Sequence, residues 1–257
     1  MWKINTSKTV KIFSLITFLF LYIPIIIIIL YSFNKSRIGI NWSGFTLNWY
    51  RILIHDDNLI HAAINSLVIA SISSLIAVVF GSFAGIALHK YKIPFFSYLI
   101  YIPIVVPEIV VGLSLLLFFI LINFTLGYAS VVLAHIAFSI SFVTLTVISR
   151  MDDYDDSVIS AARDLGAGPV KAFFLILIPS LLPGIIAGGL MAFTLSIDDF
   201  IITFFSAGAG TTTLPLFIYS MIKVGVTPEI NAISSIIIIF TLIMAYFVSK
   251  LSPTMFE

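Results

Sequence analysis

Six long apolar stretches divide this chain, at residues 10–33, 62–88, 97–123, 128–149, 181–205 and 230–249. A helix crosses a bilayer with about 20 predominantly apolar residues, and each stretch is long enough to do so. Barrel strands would run about 10 residues with alternating polarity, whereas these runs are rich throughout in Ile, Leu, Phe and Val. The expected fold class is therefore an all-α membrane protein with six transmembrane helices in one domain, 1–257. Of the 257 residues, 60% are hydrophobic and 10% are charged. Soluble proteins carry about 25% charged residues, so this chain has too little charge to cover a surface in water. It has no cysteine, which excludes disulfides, thiolate metal sites and cysteine nucleophiles.

The first stretch follows a basic start (Lys3, Lys8, Lys11) and is too long for a signal-peptide core. No A-x-A-like cleavage site follows it, so it reads as a retained first span. With the N-terminus inside, the inner segments hold Lys3, Lys8, Lys11, Lys90, Lys92, Arg150, Arg163, Lys171 and Lys250. The outer segments hold only Lys35, Arg37, Arg51 and Lys223. Nine against four places both termini in the cytoplasm of a multi-pass plasma-membrane protein. Tyr31, Phe33, Trp42, Trp49 and Tyr50 suit an outer interfacial belt. Pro103 and Pro107 interrupt the third span, and 214–224 fits a short amphipathic or re-entrant helix.

The inner segment 150–179 is the longest cytoplasmic piece. Asp156 fits an N-cap, with Val158, Ile159, Ala161, Ala162 and Leu165 as apolar positions of a short helix. Gly166 fits its stop, and Pro169 after Gly168 fits the first turn of a second helix. The acids at 152, 153, 155 and 156 read as a solvated face.

The run Ser160-Ala161-Ala162-x-x-x-Gly166, nine residues, then Ile176-x-Ile178-Pro179 resembles the EAA loop of ABC importer permeases. Longer passages, including 193–199, 214–226 and 228–232, are similar to the spermidine/putrescine branch of that family. The resemblance implies a type I ABC importer permease fold with a cytoplasmic coupling helix docking on an ATPase through Ser160, Ala161, Ala162, Asp164 and Gly166. Its first residue is normally Glu; here Ser160 stands there, with Asp156 and Asp164 as nearby substitutes. It further implies a second homologous permease, two ATPase subunits carrying ATP and Mg, and a periplasmic polyamine-binding protein. Besides these, the chain contacts membrane lipid; no cofactor on this chain and no nucleic-acid partner are expected.

The acids inside the spans speak to substrate independently. They are Glu108, Asp198 and Asp199, and no Lys or Arg lies within any span to neutralise them. An intramembrane acid costs roughly 2.5–3.5 kcal/mol on insertion scales and normally faces a cavity or a partner. A cationic amine in transit would neutralise them. On straight helices Glu108 lies roughly 16 Å from the inner end of its span, and the Asp pair roughly 22 Å beyond Gly184. Gly184, Gly188, Ala192 and Ser196 form a small-residue packing stripe, as do Ala77, Gly81 and Gly85. Asp199 falls near the centre of the first stripe and Asp198 about 100° away. One of the two is expected to line the passage while the other pairs at an interface. Tyr219 is a further pathway candidate by cation–π attraction. His135 reads as a packed, hydrogen-bonded histidine.

No G-x-x-x-x-G-K-[ST] run is present, so ATP hydrolysis is expected on a partner and this chain is not itself an enzyme. Related ABC permeases for other small solutes and a proton-coupled secondary transporter are the alternatives. An intramembrane hydrolase lacks a base, metal or nucleophile to go with the aspartates.

Overall fold

The computed structural model describes residues 8–36, 41–155, 157–225 and 227–251. It divides into two compact units, Met1–Asp57 with Ile218–Phe240 and Asn58–Phe217 with Thr241–Glu257. Among the described residues the structure is helical, with one isolated bridge between Asn34 and Phe45.

In the first unit, α1 (Lys8–Tyr31) exposes apolar side chains all round, among them Phe13, Leu15, Phe20 and Ile27. Such a helix fits lipid, not water. The loop after it folds around buried Asn34. Its Nδ2 donates to the Asn41 carbonyl (2.9 Å) and its Oδ1 accepts the Ser43 amide (3.0 Å). Trp49 of α2 (Asn48–Ile54) donates its indole N–H to the Asn34 carbonyl at 2.7 Å. Trp49 was expected in an interfacial belt; it is buried instead, because that acceptor lies inside the loop. Trp42 is exposed.

The second unit holds α3 (Asp57–Tyr91), α4 (Pro94–Val105), α5 (Glu108–Leu121) and α6 (Tyr128–Asp152). It continues with α7 (Ser157–Asp164), α8 (Pro169–Ala172), α9 (Ile178–Ile197) and α10 (Ile201–Ser206). Helix α6 is the centre, and glycines let its neighbours approach closely. A Cβ on Gly81 would lie 2.7 Å from Val143 Cβ, and one on Gly85 would lie 2.9 Å from the Thr144 carbonyl oxygen. From the other side, a Cβ on Gly188 would lie 3.2 Å from Val143 Cα. Both small-residue stripes are thus packing faces, as their spacing led one to expect, and both are turned on α6. Ala77, Val143, Val147, Leu181 and Ala192 form the core between them. The chain then enters α11 (Leu214–Val224) and α12 (Pro228–Leu251).

Two spans differ from the sequence reading. The third, expected over 97–123, is two helices bent by 110°. Pro107 supplies no N–H and holds Val106 extended (φ −76°, ψ 133°), so α4 stops there and α5 starts in a new direction. The straight-helix depth given to Glu108 therefore does not apply. The fifth, expected unbroken over 181–205, is instead one helix over Pro169–Ile197, carried through a π turn at Phe173–Leu177. It then breaks at residues 198–200 before α10. The helical-wheel argument that separated the two aspartates fails with it. Four helices are long and apolar enough to cross a membrane, and a fifth if the bent pair is one span.

The 150–179 segment folds as two short helices around a glycine hinge. Gly166 has φ +85°, a conformation glycine adopts without strain, and its amide reaches back to Arg163. Asp156 lies outside the described residues. At the start of α7 the carboxylate of Asp155 accepts the Ser157 amide at 2.9 Å. Hydrogen bonds from Ser157 hold the Asp155 carboxyl below the usual carboxylate range.

Candidate functional site

The two helix breaks set the positions of the intramembrane acids. Glu108 opens α5 directly after the Pro107 break, where the positive end of a helix dipole favours a carboxylate. Asp198 closes α9 at φ −99°, ψ 0°, where the dipole is unfavourable to negative charge. Both are exposed, and neither is ion-paired among the described residues. The two helices they begin and follow are neighbours: a Cβ on Gly112, one turn beyond Glu108, would lie 2.8 Å from Phe205 of α10. Asp198 accordingly feels the charges of Glu108 and Asp199. Two carboxylates from separate spans thus share one exposed place. No local stability gain accounts for Asp198, which makes a ligand role the better reading of it.

Asp199 points the other way. Its side chain is 6% exposed and lies 3.3 Å from His135 Nε2. One of its oxygens accepts the Thr203 amide (2.8 Å) and hydroxyl (3.0 Å), and the other accepts the Ile202 amide (3.3 Å). Two of the open N–H groups that begin α10 are thereby satisfied. His135 is 1% exposed; its Nδ1 lies 2.6 Å from the Ser196 hydroxyl and its Nε2 3.0 Å from the Thr203 hydroxyl. Because Thr203 gives its proton to Asp199, it can only accept at Nε2, so that nitrogen carries a hydrogen. The sequence marked His135 as packed and hydrogen-bonded. Its partners, 61 and 68 residues away, had no signal there.

Tyr219 lies on α11 with the Lys223 ammonium 4.8 Å from its ring centre. A cation of the chain itself already occupies that face, one helical turn on.

The remaining candidates lie on α7 and the hinge after it. Ser160, Ala161, Asp164 and Gly166 are exposed and Ala162 is half-buried. Exposed apolar side chains flank them: Leu165 is 90% exposed and Val170 68%. Ile159, in contrast, packs with Tyr154, Phe173 and Ile178 on the core between α3, α6 and α9. One short helix thus offers an apolar outer face while its inner face grips the bundle.

Residues 77–256 match the family described as binding-protein-dependent transport system inner membrane component. The chain belongs to this family. It is 43% identical over 228 residues to the spermidine/putrescine transport system permease protein PotC of Escherichia coli K12, covering 88% of this chain and 86% of that protein. It is 38% identical to the putrescine transport system permease protein PotI of the same strain, covering 87% and 83%. Among solved structures, an inward-facing MetNI methionine ABC transporter chain superposes with TM-score 0.63 at 14% identity, covering 83% of this chain and all of that one. That likeness establishes the type I permease fold. The matched stretch contains α7, its hinge and all three intramembrane acids.

Proposed function

We propose that this chain is a permease subunit of an ATP-driven polyamine importer, passing spermidine- or putrescine-class cations through a passage formed with a second, homologous permease. The observation that carries the reading is the exposed pair Glu108 and Asp198, set at the breaks of two membrane helices. The 43% identity to a spermidine/putrescine permease supports the same substrate class. A polyamine is a flexible apolar chain with several ammonium groups, each a donor of up to three hydrogen bonds. An ammonium about 4 Å from a carboxylate gains roughly 4 kcal/mol at an effective dielectric of about 20. Two carboxylates reaching it from different spans hold it, and movement of either span releases it.

In this reading six spans form a single permease domain, the bent pair counting as one and α12 as the sixth, with both termini in the cytoplasm. The segment 150–179 then faces two ATPase subunits, which carry ATP and Mg, while this chain has no cofactor and no catalytic role. A periplasmic binding protein delivers the polyamine, and lipid surrounds α1. Asp164 supplies the charge that Ser160 lacks at the head of the coupling motif.

Leu165→Asp puts a charge on an outward apolar contact without touching the core. It is expected to lower ATP-driven uptake at least about fivefold and to loosen the ATPase on purification, an effect of roughly 1 kcal/mol or more at the interface. Co-purification of tagged permease with its ATPase checks the assembly. A permease that co-purifies no ATPase contradicts the proposal.

A further inference from the structure

The acidic pair is useful only if the break between α9 and α10 holds one geometry, and the groups that fix this geometry are buried. Asp199 ends one helix run and starts the next by accepting the Ile202 and Thr203 amides. Its carboxylate is kept inward by His135 Nε2 at 3.3 Å. His135 in turn is set by Ser196, the last buried residue of α9, at 2.6 Å. The C-terminal end of α10 is tied to the same neighbour, since Ser130 at the start of α6 donates to the Ser206 carbonyl at 2.7 Å. A six-residue helix with two such anchors cannot turn independently of α6. Adjacent residues on either side of the break then face opposite ways, Asp199 into the bundle and Asp198 outward.

We infer that His135 is a positioning residue for substrate passage: by holding Asp199 inside the bundle it fixes the α9–α10 break so that Asp198 stands beside Glu108. This inference rests on the reading that these two acids line the passage. Without the Nε2–H donor, Asp199 is left as a buried carboxylate lacking its cationic or hydrogen-bonding partner. It then turns toward solvent, the start of α10 loosens, and Asp198 leaves its place beside Glu108.

The two amide replacements of histidine separate this role from simple packing. The Gln amide nitrogen reaches the position of Nε2 and can still donate to Asp199. The Asn amide nitrogen corresponds to Nδ1, reaching Ser196 and not Asp199. Both fill the site with a neutral polar side chain. The experiment uses the complete transporter in proteoliposomes with saturating spermidine-loaded binding protein, and reads spermidine taken up per ATP hydrolysed.

His135→Asn is expected to lower that ratio about tenfold, in keeping with the cost of a misplaced binding group. His135→Gln is expected to keep more than half of it, with assembled transporter and ATP hydrolysis unchanged in both. Asp199→Asn should resemble His135→Asn, and the double variant should be no worse than either alone. The inference is overturned if Gln and Asn behave alike, if the double variant is additive, or if uptake and ATP hydrolysis fall together with the amount assembled. Glu108→Gln and Asp198→Asn run beside them as controls. Full uptake in these controls defeats the acidic-passage reading itself, whereas their loss with His135→Asn intact defeats only the role of His135.

Discussion

Glu108→Gln and Asp198→Asn combined are expected to lower polyamine uptake by at least about a hundredfold, and each alone by about tenfold. A hydrogen bond to a charged group contributes roughly 1.5–3 kcal/mol, and each substitution removes one such acceptor for an ammonium. The pair lies close, so the combined loss need not equal the product of the two. Stability gives the discriminating readout, because the two acids sit at opposite ends of helix dipoles. Asp198 closes α9, where negative charge is unfavourable, so Asp198→Asn should leave the permease as stable as before or slightly more so. Glu108 opens α5, where it is favourable, so Glu108→Gln should be slightly destabilising. Transport and stability therefore move in opposite directions for Asp198. Thermal unfolding in detergent beside radiolabelled spermidine uptake checks both, and loss of uptake only in proportion to lost protein would refute a substrate role.

The second large effect is structural. Gly85→Ala brings a Cβ within 2.9 Å of the Thr144 carbonyl oxygen and of Val147 Cβ. Backbone inside a packed helix pair cannot yield, so about 1–3 kcal/mol of destabilisation is expected, with a matching fall in folded permease in the membrane. Trimming Val147 to Ala should not restore it, because the Thr144 oxygen remains. Gly189 provides the contrast, since the one close neighbour of its added Cβ is Val78 Cγ2 at 2.8 Å. Gly189→Ala should be harmful alone and rescued by Val78→Ala. If Val147→Ala rescues Gly85→Ala equally well, α3 and α6 are not in backbone contact there.

The parts of this fold written in local patterns could be read without the structure. Apolar runs located the spans, four-residue small-side-chain spacing located the faces that meet α6, and Gly166 with Pro169 located the hinge after α7. What escaped depended on the meeting of distant residues. Pro107 marked an irregularity in the third span, yet nothing local shows that the chain turns by 110°. Around 198–200 the local sequence is apolar on both sides and reads as one helix. The break exists because Asp199 takes the amides that would otherwise bond to α9 carbonyls, and it is anchored by a histidine 64 residues earlier in the chain. Wheel geometry on an unbroken helix gave different orientations for the two aspartates for the wrong reason. Trp49 was misplaced for a related cause, since the carbonyl that draws it inward belongs to Asn34 across the loop.

The most direct test is spermidine accumulation by the purified complex in proteoliposomes, with ATP supplied on the ATPase side and binding protein on the other. Accumulation that requires ATP and persists when an uncoupler dissipates the proton gradient is the expected result. Accumulation that proceeds without ATP, or collapses with the uncoupler while ATP remains, would contradict it.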